Sequence, residues 1–490
     1  MSTRLSTLHH NHLASRLSAS GLLLTSGCCS QLLPNLLRRI VPRRTCHSPF
    51  RPPKRTFPVH PCAPYSTTMS ASNIEYGYVE DVEALSDYRP GGYHPIQIED
   101  VLHERYRIVH KLGHGTFSTV WLALDSQTST YIAIKVGTAD ADSREVDILS
   151  QLTTGVAATS DGFSHTTGKA AMIPLVLDRF TLEGPNGTHP CFVTPPARCS
   201  LMDAKEASDP RLFQLDVARS LAAQLTITVS IVHLNDYAHG ATSPSREPPS
   251  PATFITQQPL YAEFGAPEPE AIVRLDGKPT SSAAGVPPYA IPPVWLGKAS
   301  DEIALNEEKL LLVDFGKSRF ESYTPLVIRP PEGFFEPKTP LSLASDIWSL
   351  GCTVFELLAH RSLIDGILAP QDEIMAQQIH LQGPLPSEWW DSWEERNERD
   401  IWTWDRRFEQ WVQEPRQSCG MDVIGDEEKA ALFEMLRRML AWRPSERPTA
   451  DEVLDMAWMK TWALPAYEKC QKTWACYSRA LSQACTDTST

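Results

Sequence analysis

Aspartate and glutamate are missing from the first 74 residues, which carry eight Arg and one Lys. The other 416 of the 490 residues therefore hold a charge of -23 behind the overall -14. Such an acidic body lacks the Lys and Arg surplus that displaces counterions from a nucleic-acid backbone, so direct nucleic-acid binding is not expected, whereas basic peptide partners are compatible with it. Long apolar runs are also missing: none approaches the ~18 consecutive residues of a membrane span. Eleven Cys include no CxxC pair, with four before residue 63 and three after 469. Neither a zinc site nor a disulfide framework is indicated, and the thiols are expected to be reduced in an intracellular compartment.

The acid-free leader is rich in Arg, Ser, Leu and Pro, with amphipathic pieces such as residues 32–40 running into Pro42-Arg43-Arg44. This is the composition of a mitochondrial transit peptide, and equally of a disordered basic tail, which would leave the protein in the cytoplasm or nucleus. Seven Pro between Pro42 and Pro64 argue against a compact fold before about residue 75.

From residue 106 the texture changes. Residues 106–112, 119–124 and 131–136 read as strands separated by Gly or polar turns. Residues 145–152 and 211–234 have helical periodicity, the latter aligning Leu215, Leu221, Leu225, Val229 and Val232. Twelve Pro between Pro244 and Pro293 mark residues 241–300 as an insertion expected to stay out of the core. Helical patterning resumes at 345–358, 427–440 and 450–458. Six of the 13 Trp lie between Trp389 and Trp411, where packing of rings on the core is the expected role.

Three pieces carry chemistry. Leu112-Gly113-His114-Gly115-Thr116-Phe117-Ser118-Thr119-Val120 joins two strands, and its glycines allow backbone N–H groups to approach phosphates unhindered. Lys135, in the strand Ile132-Ala133-Ile134-Lys135, is followed ten residues on by Glu145 at the start of a helix; a Lys held by a carboxylate can grip the phosphates of ATP. The apolar strand Leu310-Leu311-Leu312-Val313 ends in Asp314-Phe315-Gly316, which suits a magnesium ligand facing those phosphates.

In this order and spacing the motifs, with Pro330-Pro331-Glu332, Ser345-Asp346-Ile347-Trp348 and Arg443-Pro444-Ser445-Glu446-Arg447-Pro448, resemble the eukaryotic protein kinases from about residue 106 to 458. Within them, the residues around the glycine turn, Asn186-Gly187-Thr188-His189 and the spacer before Asp314 resemble the fungal SR-protein kinases, which phosphorylate Ser and Thr. The resemblance implies an α+β, bilobal fold: a leader at 1–74, a lead-in at 75–105, a strand-rich N-lobe at 106–200, a helical C-lobe at 201–465 with the Pro-rich insertion at about 241–300, and a tail at 466–490. It further implies ATP and Mg²⁺ as cofactors, a protein substrate of Arg/Ser-rich type, and a monomer without a membrane span. Leu112, Gly113, Gly115, Val120, Ala133, Lys135, Thr194, Pro195 and Ala197 would bind nucleotide, the last two through the Pro195 carbonyl and the Ala197 N–H. Asp314 would bind metal, Lys135 and Glu145 would act with it, and His239, Phe315, Gly316, Glu332, Asp346 and Arg447 would be structural.

The pattern breaks once. After Tyr237-Ala238-His239-Gly240 the family has an Asp that accepts the substrate proton and, five residues on, a metal-binding Asn; here those positions hold Ala241 and Arg246. The segment from Asp314 to Glu332 is also short, with 17 residues between them. Arg246 is expected to put positive charge where a cation belongs. The break leaves three readings: an ATP-binding pseudokinase acting as scaffold or regulator; a coding sequence in which a splice or frame change has replaced the loop, since family-like sequence resumes at Tyr261-Ala262-Glu263-Phe264-Gly265; or a structural domain with no nucleotide, against which the intact Gly113, Gly115, Lys135, Glu145 and Asp314 argue.

Overall fold

A computed structural model of the chain describes residues 75–158, 172–240, 244–246, 257–280, 285–315, 325–339, 342–366, 369–391 and 403–472. The leader, Ala241, Gly316, Trp393, Trp402 and residues 473–490 lie outside them.

The alternating and apolar runs form a six-stranded antiparallel sheet. Its strands are β1 (Val101–Leu102), β2 (Tyr106–Gly115), β3 (Ser118–Asp125), β4 (Tyr131–Gly137), β5 (Asp178–Gly184) and β6 (Gly187–Thr194), in the spatial order β1-β2-β3-β4-β6-β5. Two-residue turns close the β2–β3 and β5–β6 hairpins, with Gly115 opposite Ser118 and Gly184 opposite Gly187. Gly187 takes a φ of +132°, a backbone region that side chains rarely enter.

Period-two alternation divides the sheet's side chains between two faces. On one, Ile108, Trp121, Ala123, Ile132, Ile134, Val136, Cys191 and Val193 pack together with Ile96 and Ile291. On the other, Val109, Leu122 and Tyr131 pack under Leu260 and Leu296.

The Pro-rich insertion therefore does not stay out of the core. A sheet that is apolar on both faces needs a cover on each. Leu260, Ile272, Val286, Ala290, Ile291 and Leu296 are all buried. Short strands at Glu270–Ala271 and Tyr289–Ala290 pair with each other, and Ile272, Val286 and Ala290 form a small cluster with Leu85, Tyr88 and Tyr93 of the lead-in. Proline removes backbone donors without preventing burial of its apolar neighbours, which is why composition misled here.

Below the sheet's long strands lies a helical assembly. Helix α1 (Arg144–Ala158) follows β4; α2 (Leu201–Glu206), α3 (Leu215–Leu234), α4 (Gln257–Phe264), α5 (Leu343–Leu358), α6 (Gln371–Gln382), α7 (Asp426–Met439) and α8 (Ala450–Leu454) follow in chain order. Helix α3 is buried on nearly every side rather than along one stripe, with α5 and α8 among its neighbours. By length and composition it could cross a membrane, but it serves here as the core helix. It starts at Leu215, four residues later than its apolar pattern predicts, because Arg211 sits at a φ of +54° that no helix accommodates. The helix expected over 450–458 is likewise interrupted after Leu454. Trp389, Trp404 and Trp411 pack in the core as expected.

One ion pair ties the far side of this assembly. Arg447 donates to both carboxylate oxygens of Glu332, at 2.8 and 2.7 Å, and to the carbonyls of Ala344, Ala441 and Trp442. Its guanidinium lies 5.1 Å from the Trp348 ring centre, while Ser345 donates to Glu332 Oε1 at 3.0 Å. Both charged residues are buried, so removing one partner leaves the other desolvated without its counter-charge. Arg447→Met is therefore expected to lower unfolding stability in denaturant titration by about 3–5 kcal/mol. Adding Glu332→Gln should recover part of that loss, and purely additive losses would contradict a paired role.

Candidate functional site

Lys135 sits on β4 between Val120 of β3 and Phe192 of β6. Its position in the alternation puts it on the same face as Val120, Ala133 and Thr194, since Ala133 is opposite Thr194 across the β4–β6 ladder. The ammonium lies 5.9 Å from the Phe192 ring centre and reaches Glu145 in the first turn of α1, where the helix N-terminus favours a carboxylate. Nζ is 2.9 Å from Glu145 Oε1 and 2.8 Å from Oε2; on its other side it donates to Asp314 Oδ1 at 3.0 Å. Burial alone would lower the lysine's pKa. The neighbouring carboxylates of Glu145 and Asp314 outweigh burial and raise it, so the side chain remains a cation.

Asp314 stands two residues past the apolar strand Leu310–Leu312, which is buried throughout. Its φ of +69° lies in the left-handed region, tolerated by Asp better than by most residues at a cost of about 1 kcal/mol or more. That turn sends the carboxylate toward Lys135 and the next side chain, Phe315, into the interior. There the Phe315 ring meets His239 edge-on, with centres 4.8 Å apart, and His239 Nε2 bonds the Val313 carbonyl at 2.8 Å.

Asp346, in the first turn of α5 and 1% exposed, holds the approach to the broken loop. It accepts from the His239 N–H at 2.7 Å and the Gly240 N–H at 2.8 Å, and its Oδ2 also lies 3.0 Å from His233 Nε2. The expected structural residues His239, Phe315, Glu332, Asp346 and Arg447 thus all have definite packing or hydrogen-bond partners.

Beyond Gly240 only three residues precede Pro244. Residues Pro244–Arg246 form a strand lying between Cys199–Ser200 and Leu310–Leu312. Pro244 is opposite Leu312 and Arg246 opposite Leu310, so the Arg246 backbone is four strand positions from Asp314. At about 3.3 Å per residue that is roughly 13 Å along the strand. Strand pairing thus sets the Arg246 backbone in that ladder, away from the mouth of the Leu310–Leu312 strand.

The glycine turn is open above. A methyl group added at Gly113 or Gly115 would meet nothing within 4 Å, so the turn offers bare backbone to an approaching group. Leu112 and Gly113 are half-buried, and Gly115 is exposed at the tip. Pro195 and Ala197 lie in the connection between β6 and Cys199.

Two residues at this site escaped sequence reasoning. His233 lies on the core helix, one turn before a motif that drew attention to His239 instead. Tyr93 belongs to Gly91-Gly92-Tyr93-His94, where nothing in the sequence ties it to a glycine turn more than twenty residues on; its hydroxyl nonetheless reaches the Gly115 carbonyl at 2.8 Å.

Residues 303–459 match the protein kinase domain family. A serine/threonine protein kinase of Aspergillus fumigatus is 24% identical over 434 residues, covering 84% of this chain and 99% of that one. The serine/threonine-protein kinase SRPK of Physarum polycephalum is 26% identical over 413 residues, 77% of this chain and 91% of its own. SRSF protein kinase 3 of Homo sapiens is 38% identical over a shorter stretch of 114 residues, 23% of this chain and 20% of its own. With these relatives and the motifs assembled in order, the chain is similar to the eukaryotic serine/threonine protein kinases, the SR-protein kinases among them.

Proposed function

We propose that the chain binds Mg-ATP between a strand-rich lobe and a helical lobe, and that it lacks efficient phosphoryl transfer because the residue after the anchored Gly240 cannot accept a proton. The observation carrying this reading is the joining of Lys135 to Glu145 and Asp314 in a sequence that has Ala241 directly after the anchored Gly240.

The donor set fits the nucleotide that the family uses. Bare backbone at Gly113 and Gly115 suits phosphate oxygens, and the Lys135 cation, fixed by Glu145, suits the α- and β-phosphates. Asp314 supplies the hard oxygen that Mg²⁺ requires, while Val120 and Ala133 offer a small apolar roof for a base and Thr194, Pro195 and Ala197 its edge contacts. Bound ATP would supply the γ-phosphoryl group, with Mg²⁺ offsetting its charge.

Transfer asks for more. A hydroxyl nucleophile needs a carboxylate within hydrogen-bond reach, and a methyl group at Ala241 cannot provide it; loss of a general base costs on the order of 10² to 10⁴ in rate. The paired strand Pro244–Arg246 also occupies the stretch where the second metal ligand belongs. A scaffold or regulatory role for the nucleotide-bound chain follows. Its -23 body suits basic, Arg-containing protein partners. The resumption of family-like sequence at Tyr261 favours, as a second reading, a replaced loop. Sequencing the transcript across codons 235–265 separates the two: a read restoring Asp and Asn after Gly240 makes the protein an active kinase.

Calorimetry on the full chain is expected to show Mg-ATP binding that weakens about 10- to 100-fold in Lys135→Ala, the equivalent of one charge-assisted hydrogen bond. No binding by the unmodified chain would overturn the reading. Phosphate transfer to an Arg/Ser peptide should stay at background in both the unmodified chain and Asp314→Ala. Robust turnover abolished by Asp314→Ala would refute the loss of transfer.

A further inference from the structure

The lead-in segment before the sheet is wired to the glycine turn, although neither its composition nor its position predicts it. Tyr93, 4% exposed, points its hydroxyl at the tip of that turn, 2.8 Å from the Gly115 carbonyl and 3.1 Å from that of Thr116. A carbonyl engaged from behind turns its peptide, and the N–H groups of the same turn are thereby oriented toward the open side.

Tyr93 is itself held from several directions. Its ring packs on Tyr88 with centres 5.6 Å apart, and its carbonyl accepts from Asn186 Nδ2 at 2.7 Å; that amide also bonds the Gly285 carbonyl at 2.8 Å. A side chain at Gly285 would meet Asn186 Oδ1 at 2.1 Å, and one at Gly92 the Asp87 carbonyl at 1.8 Å, so both close approaches demand glycine. Behind the ring, Glu83 pairs with Lys111 of β2 and accepts from the Tyr88 hydroxyl. The same segment reaches the link between β4 and α1: Ala139 N–H bonds the Gly92 carbonyl at 3.0 Å and Asp140 N–H the Gly91 carbonyl at 2.9 Å. That link leads into the helix carrying Glu145.

From this geometry we infer that residues 83–93, backed by the insertion, form a built-in brace for the glycine turn, and that Tyr93 is a positioning residue for the phosphates of a nucleotide. The second half of this role rests on the nucleotide reading above; the brace itself does not. Burial and the nearby carboxylates of Glu83 and Asp87 raise the Tyr93 phenol to about 12, so its proton is present for donation at any physiological pH.

The test uses the full chain with Tyr93→Phe, which keeps the ring in its cluster and removes only the donor. Amide hydrogen exchange over residues 113–118 is expected to accelerate about five-fold, the equivalent of one net hydrogen bond, with residues 178–194 unchanged. Binding of a fluorescent Mg-ATP analogue should weaken by a similar factor. Tyr88→Phe is the structural comparison: it removes a buried hydrogen bond from the same cluster without touching the turn, and is expected to leave exchange at 113–118 as it was. Unchanged exchange in Tyr93→Phe, or an equal rise in Tyr88→Phe, overturns the brace. Faster exchange with undiminished analogue affinity overturns the positioning role. Failure of the unmodified chain to bind the analogue would remove the nucleotide reading, and the exchange comparison would still decide the brace.

Discussion

Lys135 carries a positive charge into a place where three separate pieces of chain converge, and the rest of the site is arranged around keeping it there. Desolvation works against the ammonium, and two carboxylates from distant parts of the sequence reverse that balance. Glu145 arrives on the helix after β4, Asp314 on a left-handed turn after the strand Leu310–Leu312. Each carboxylate position depends on something larger. The helix start depends on its link to the lead-in, and the turn at Asp314 depends on Phe315 and His239 filling the space behind it. A single cation therefore couples the sheet, the first helix and the strand that follows the insertion.

Much of this was legible from residues alone, for a physical reason. Lys135 and Asp314 each interrupt or end an apolar run, where a charge needs a partner, and Glu145 stands ten residues on from Lys135 at the start of a helix. Glu332, Asp346 and Arg447 were legible through the resemblance, and their buried partners explain why a structural role suits them. The insertion was misread because proline content reports backbone donors, while burial of Leu260, Ile272 and Leu296 depends on what the neighbouring sheet needs covered. Tyr93 was invisible for a related reason: a side chain acting on a backbone carbonyl leaves no complementary residue type at the other end. Counting from Gly240 assumes an uninterrupted loop, whereas pairing opposite Leu310 sets the Arg246 backbone.

The lead-in and the insertion are separated by almost the whole sheet in sequence, yet each completes the other. Leu85, Tyr88 and Tyr93 share one buried cluster with Ile272, Val286 and Ala290. A patch of that size contributed by either segment alone would leave apolar surface exposed, and the ordering of about twenty lead-in residues would have little to offset its entropy. The insertion thereby sets the stiffness of the glycine turn through Tyr93, which gives a structural reason for it to be folded rather than a tether.

The binding and transfer halves of the machinery also differ in what their loss costs the fold. Removing Lys135 would leave Glu145 and Asp314 facing each other without the cation between them; removing Asp346 would strip the partners from two backbone N–H groups and disturb His233. A proton-accepting Asp in the loop has no such duty, because Gly240 is already anchored by Asp346 and the strand beginning at Pro244 is already paired with Leu312. The chain can therefore carry Ala at position 241 with its scaffold intact, while the residues that would grip nucleotide are bound into that scaffold. This asymmetry makes a nucleotide-binding fold without efficient transfer a physically coherent state of the sequence.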